Sequence, residues 1–325
     1  MARFVCFGEM LIRLTAPAGE LMLQTPRLET SFGGAEANVA VSLARFGQDV
    51  RMATVLPDNA LGHAARAELR RHNVDTTFCT LGPGRMGLYF VTPGAGPRAS
   101  EVLYDRADSA FARAPGQIDW RSALAGAEWL HVSGVTPALN AACADAALNA
   151  MRAARAAGVK VSFDANFRAK LWEARGEDPR PTLDALFAEA DLLFGDERDI
   201  GLAAGERATS TEDAARIAFA RYPNLQRLAA TMRTVQSAEH HTLSGMTFTR
   251  AGATRTREHA IRGIVDRIGG GDAFAAGVLY GLATGAAEPF MLDFAVAAAV
   301  LKHTMRGDFN LARADDVVFH LTNSG

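Results

Sequence analysis

Short apolar runs alternate with longer amphipathic stretches along most of the chain, and glycine, proline or a charged cluster ends each of them. Residues 4–8 (Phe-Val-Cys-Phe-Gly) predict a core strand. Gly33-Gly34 then opens a helical pattern, with Val39, Leu43 and Phe46 at helical spacing and Gly47 as its stop. A strand follows over 50–55, then a helix over 60–72 with its Arg and Glu side chains outward. Residues 87–92 and 101–104 are β-type runs on either side of a Pro/Gly-rich turn at 93–97, which predicts a hairpin. Beyond it the pattern gives a strand at 129–133 and an alanine-rich helix over 139–157 closed by Gly158. A strand at 159–163 runs into Asp164-Ala-Asn166-Phe-Arg168. The remaining elements are a helix at 183–188, a strand at 192–194, and a helix at 211–222 with Glu212 and Asp213 in its first turn. Strands at 227–231 and 245–249 and helices at 272–284 and 289–304 complete the set.

Strands alternating with helices imply a parallel, right-wound α/β sheet. Ligands of such sheets bind beyond the carboxyl ends of the strands. Asp164, Arg168, Asp196 and Thr231 all follow predicted strands, so one rim gathers them. The hairpin near 86–106 does not fit a βα repeat and reads as a small β extension, a lid over that rim. The sequence carries no internal repeat, low-complexity tract or long linker.

Composition narrows the function classes. The chain has 325 residues, 49% hydrophobic and 22% charged, an ordinary globular balance. A formal net charge of −2 offers no basic surplus for nucleic acid or an anionic membrane surface. Cys6, Cys79 and Cys143 are odd in number and far apart, which argues against a disulfide framework or zinc site and for a reducing compartment. Residues 1–15 hold Glu9 and Arg13 inside an apolar run and make a poor signal peptide. The apolar run 290–301 carries Asp293 and is too short to span a bilayer. A cytoplasmic protein is expected.

The candidate chemistry lies in Asp266-Arg-Ile-Gly-Gly-Gly-Asp272-Ala-Phe-Ala-Ala-Gly277. Three glycines expose backbone N–H groups where a small-residue helix begins, and the helix dipole favours an anion there. Asp272 stands beside that position as a proton acceptor. An anion hole with an adjacent base is what phosphoryl transfer to a hydroxyl requires. Taken alone, the same residues also describe an ordinary N-cap behind a tight turn.

This segment and a second one resemble the ribokinase-like (PfkB) family of carbohydrate kinases over nearly the full length. The second is Phe32-Gly-Gly-Ala-Glu-Ala-Asn38-Val-Ala-Val-Ser-Leu-Ala-Arg-Phe-Gly47, followed by Asp58-Asn-Ala-Leu-Gly62. The resemblance implies one doubly wound parallel α/β unit over 1–325 with a small β-sheet lid from segments near 10–32 and 86–108. It assigns catalysis to Asp272, with the amides of Gly269, Gly270 and Gly271 holding the transferring group. Gly87-Leu-Tyr89, Leu103-Tyr-Asp-Arg106, His131-Val-Ser-Gly134-Val-Thr-Pro137, Asp164-Ala-Asn-Phe-Arg168 and Arg306-Gly-Asp308 resemble the 2-keto-3-deoxygluconate kinase branch. That implies a pocket of Gly34, Asn38, Tyr89, Tyr104, Arg106, Arg168 and Asp308 for an acyclic keto-acid. Arginine forks suit its carboxylate, tyrosines give flat walls with a hydroxyl each, and Asn38 and Asp308 bridge hydroxyls. Each residue also has a plainer reading: sheet packing for the tyrosines, an Asp108 ion pair for Arg106, a Glu173 or Asp164 pair for Arg168, a turn cap for Asp308.

On the nucleotide side the chain departs from the family pattern. Phe194-Gly-Asp196-Glu-Arg-Asp199 replaces Asn-x-x-Glu, leaving Asp196 for nucleotide contacts and Asp199 for Mg²⁺ through water. Ala230-Thr231-Met-Arg233-Thr-Val-Gln-Ser237 lacks the usual glycines; Thr231 and Arg233 are its nucleotide candidates, with Gly269 and Gly271. Arg267-Ile268 and Gly270 replace commoner residues in the glycine turn. His240-His241 reads as loop, since neighbouring strand residues point oppositely and share no metal. The expected activity is ATP- and Mg²⁺-dependent phosphorylation of 2-keto-3-deoxygluconate, with room for a monovalent cation (K⁺) and, by family resemblance, a homo-oligomer, a dimer or higher. The alternatives are a fructokinase- or ribokinase-type kinase of a neutral sugar, and a non-catalytic sugar- or nucleotide-binding regulator.

Overall fold

Apolar runs become strands here because both of their faces can be buried. The computed structural model describes residues 2–323; of the expected unit 1–325, Met1, Ser324 and Gly325 lie outside the described residues. In chain order the strands are β1 (Arg3–Phe7), β2 (Leu11–Thr15), β3 (Glu29–Gly33), β4 (Asp49–Pro57), β5 (Cys79–Gly82), β6 (Gly87–Thr92) and β7 (Glu101–Asp105). They continue with β8 (Trp129–Ser133), β9 (Lys160–Asp164), β10 (Leu192–Phe194), β11 (Arg227–Val235), β12 (His240–Thr249), β13 (Gly252–Arg255) and β14 (His259–Arg262). A central sheet runs β13-β12-β11-β10-β9-β8-β1-β4-β5, with β14 also on β12. From β11 to β5 the pairing is parallel, as in Phe4 opposite Val50 on one side and Trp129 on the other.

Strand alternation feeds two cores. Phe4 and Cys6 face the helices Ala35–Arg45, Gly270–Thr284 and Glu288–Lys302, while Val5 and Phe7 face Ala141–Ala156 and Arg180–Ala188. Helices on both faces make the sheet doubly wound, as expected. A separate four-stranded sheet, order β3-β2-β6-β7, stands over the carboxyl ends of the parallel strands.

Two expectations need correction. The sheet is mixed, because β11 to β14 pair antiparallel. His240 and His241 belong to β12 rather than to a loop. Their hairpin reaches past the body of the sheet, and β11 is largely exposed from Thr231 onward. Ladder hydrogen bonds hold it without an apolar run, so hydropathy gave no sign of it. The same holds for β3, polar at Glu29 and Thr30, whereas β2 buries Leu11 and Ile12 and is interrupted by Arg13.

Candidate active site

The glycine turn is set by sterics. Gly269 has φ +83° and caps the helix Gly270–Thr284 with no side-chain hydrogen bond, so the first amides of that helix are left to an incoming anion. A Cβ on Gly269 would lie 2.0 Å from the Asp308 carbonyl oxygen, and one on Gly270 2.7 Å from the His303 ring. Nothing stands within 4 Å of such an atom on Gly271, the open side of the turn. Asp266 fixes the start of the turn by accepting from the amides of Ile268 at 3.1 Å and Gly307 at 3.1 Å.

Asp272 follows in the first helical turn. Asn38 donates to its Oδ2 at 2.6 Å. Burial pushes its carboxyl up to about 8, with Asp164 and Asp308 adding in the same direction and Asn38 and Arg168 opposing. A carboxylate raised to that range suits a general base near neutral pH. Asn38 keeps its own Oδ1 buried and without a partner, an acceptor waiting for a donor. Gly34, at φ +146°, brings the helix bearing Asn38 against the Glu9 carbonyl, where a Cβ would sit 2.3 Å away.

Asp308, Tyr89 and Asn38 meet as the sequence implies, but around an arginine it did not point to. Arg13 on β2 donates to Asp308 Oδ1 at 3.0 Å and pairs with Asp266 at 2.7 Å, fully buried. The Tyr89 hydroxyl donates to the same Asp308 oxygen at 2.5 Å. The available signal was a charged residue inside the apolar run of residues 10–16. Tyr104 lies 6.2 Å from Tyr89, ring to ring, and 5.9 Å from the Arg106 guanidinium.

The two arginines differ. Arg106 is buried and holds Glu9 Oε2 through Nη2 at 2.6 Å and Nε at 2.8 Å; its partner is not Asp108, which lies 3.8 Å from Arg113. Arg168, at the start of the helix Ala169–Arg175, is exposed and has no ion-pair partner among the described residues, Glu173 and Asp164 included. It nonetheless lies close enough to Asp164 and Asp272 to lower both pKa values.

A cleft of about 570 Å³ adjoins Gly270 and Gly271, lined by Thr231, Arg233, Arg198 and Arg267 among others. Arg233 feels the charges of both other arginines, which with burial lower its pKa. Arg233 and Arg267, with Arg198 paired to Asp196 beside them, line this cleft next to an uncapped helix N-terminus, an arrangement suited to an anion; Arg198 is one the sequence did not single out. Asp196 caps the helix Glu197–Ala204 and accepts from Arg198 at 2.5 Å, while Asp199 completes the capping box. Burial, then Asp196, pushes Asp199 up to about 6; burial, then Asp199, pushes Asp164 up to about 7. Among the described residues no cluster of three or more metal-ligating side chains occurs. A larger cleft of about 780 Å³, between Thr15, Arg98 and Gln236, reaches Arg13, Asp266 and Arg267 at the start of the glycine turn but contains neither Asp272 nor Asn38.

Comparison with known proteins gives a consistent result. The profile described as pfkB family carbohydrate kinase matches residues 1–312. The 2-dehydro-3-deoxygalactonokinase of Haloferax volcanii is 32% identical, over 97% of this chain and 95% of its own. The 2-dehydro-3-deoxygluconokinase of Thermoproteus tenax is 30% identical, over 95% and 90%. The crystal structure of 2-dehydro-3-deoxygluconokinase from Thermotoga maritima superposes with a TM-score of 0.93 at 36% identity, covering 99% of this chain and 100% of the other.

Proposed function

Because the chain belongs to the PfkB family of carbohydrate kinases, we propose that it transfers the γ-phosphoryl group of ATP to the 6-hydroxyl of 2-keto-3-deoxygluconate. The observation that carries this reading is geometric: Asp272, its Oδ2 held by Asn38 at 2.6 Å, directly follows a glycine turn whose helix end no side chain caps. The substrate hydroxyl gives its proton to Asp272 as its oxygen attacks the γ-phosphorus in line, and ADP leaves. Asn38 holds one carboxylate oxygen of Asp272 and turns the other toward the hydroxyl; its unpartnered Oδ1 accepts from a second sugar hydroxyl. The turn amides and Arg198, Arg233 and Arg267 take the phosphate charge. Asp199 raises the pKa of Asp164 and Asp196 raises that of Asp199, each after burial, so these carboxylates resist ionising together and a divalent cation would relieve them. Mg²⁺ held by one or two carboxylates, water and phosphate would neutralise the developing charge. The small sheet, closing over the rim, would exclude water.

Arg168 supports the acidic substrate: an exposed guanidinium near the base, with no ion-pair partner among the described residues, is free to receive a carboxylate. The neutral-sugar reading is favoured by one observation, the commitment of Arg106 to Glu9, which leaves Arg168 alone for the clamp. A coupled ADP-release assay with Mg·ATP separates them, using 2-keto-3-deoxygluconate, its galactonate epimer, gluconate, fructose and ribose. Turnover confined to the keto-deoxy acids is expected, and turnover on fructose or ribose instead would overturn the acid assignment. In the same assay Arg168→Ala should raise KM for the sugar acid by about tenfold or more, the loss of a charge-assisted hydrogen bond, with kcat less affected. An unchanged KM would remove Arg168 from the pocket.

A further inference from the structure

Lys302, the last residue of the helix Glu288–Lys302, has no exposed surface at all. Burying an ammonium is expensive unless its protons and charge are answered. No carboxylate lies within ion-pair distance of it among the described residues; its Nζ donates to two backbone carbonyls, Met305 at 3.2 Å and Asp266 at 3.4 Å. Those carbonyls begin the two turns that build the site, one running through the glycines to Asp272 and the other to Asp308. A Cβ on Gly269 would lie 3.2 Å from Lys302 Cε and 2.0 Å from the Asp308 carbonyl, so both turns are seated on this side chain. Asp266, Asp308 and Asp272 face the ammonium electrostatically, and Arg13 is the cation that acts against it. Burial lowers the pKa of Lys302 and the three carboxylates oppose that shift. His303, the next residue, fills the space beside Gly270.

We propose that the Lys302 ammonium is a built-in monovalent cation of the phosphoryl-transfer site. It ties the glycine turn to the Asp308 turn through their carbonyls, holds the turn amides in place, and puts fixed positive charge beneath them. It does the work an added alkali ion would do there, so the protein needs none. This rests on the kinase reading of the same site. Lys302 is a positioning residue, for it reaches the reacting atoms only through the turn.

The test uses the full chain at constant ionic strength in choline, sodium, potassium or ammonium chloride. The wild-type rate should be the same in all four; a rate that needs potassium would overturn the proposal without any variant being made. Lys302→Met should lose about a hundredfold in kcat, the scale of a misplaced catalytic group, with KM for the sugar little changed. Lys302→Ala, which opens a carbonyl-lined hole, should recover kcat saturably with ammonium or potassium and not with the bulky choline ion. Its melting temperature should rise with ammonium over choline, because an ion that binds only the folded state stabilises it. Neither response appearing would overturn the proposal. Should the wild type phosphorylate no sugar, the kinase reading fails, and the melting response still decides whether a cation replaces Lys302.

Discussion

Asp272 concentrates the chemistry in one carboxyl group whose environment sets its use. Asp272→Asn keeps the shape and the hydrogen bond from Asn38, so binding should survive while kcat falls by about 10²–10⁴, the usual contribution of a general base. Steady-state kinetics with a calorimetric check of substrate binding decides this, and wild-type turnover would sink the base assignment. The same group links stability to pH. Its folded pKa of about 8 lies above the ordinary carboxylate value of about 4, so its stabilising contribution is complete below that value and is lost as pH rises through about 8. Thermal melts of ligand-free protein should therefore show Asp272→Asn about 2 °C or more above wild type at pH 9, and no such gain at pH 4. Equal melting at both pH values would mean that Asp272 is not held in its neutral form. The motif made Asp272 legible at this scale. Its elevated pKa was not, because the burial and the Asp164 and Asp308 charges that raise it come from distant parts of the chain.

The element that presents Asp272 is a helix of small residues, and its partner explains why they are small. A Cβ on Gly277 would lie 2.5 Å from the Cα of Ala295, and one on Gly281 would lie 2.3 Å from Met291 Cγ. The helices Gly270–Thr284 and Glu288–Lys302 touch backbone to backbone at Gly277, and the Met291 side chain lies against Gly281. Gly277→Ala gains helix propensity but overpacks this contact, so the net change should be a loss of about 1–3 kcal/mol. Chemical denaturation measures it; a stabilised variant would show that the helices separate at no cost. Both helices were legible in the sequence to within about two residues, yet it offered no reason for glycine at 277 rather than alanine. That reason is a contact between two elements. Strand β3 and the β11–β12 extension were harder still, since ladder pairing rather than apolar patterning holds them.

Across the whole molecule, Arg13 joins three distant segments: β2 of the small sheet, the Asp266 turn and Asp308. Arg13→Met would leave the buried Asp308 and the half-buried Asp266 without their counter-charge, for about 3–5 kcal/mol of destabilisation. Equilibrium unfolding should register that loss together with a higher KM for the sugar, since Tyr89 and Asn38 contact the same Asp308; stability within 1 kcal/mol of wild type, roughly the worth of an exposed pair, would reduce Arg13 to a surface ion pair. By itself the sequence determined the alternation of strands and helices, the rim where Asp164, Asp196 and Thr231 collect, and the Gly-Gly-Gly-Asp272 turn. These follow from local periodicity, from backbone freedom at glycine and from the handedness of strand connections. Only the tertiary structure decided that Arg106 answers Glu9, that Arg13 and Lys302 lie beneath the turns, and that Arg198, Arg233 and Arg267 converge on one cleft. Each of those sets a charged side chain against groups from another part of the fold, and what a buried charge meets is fixed by packing, not by its neighbours in sequence.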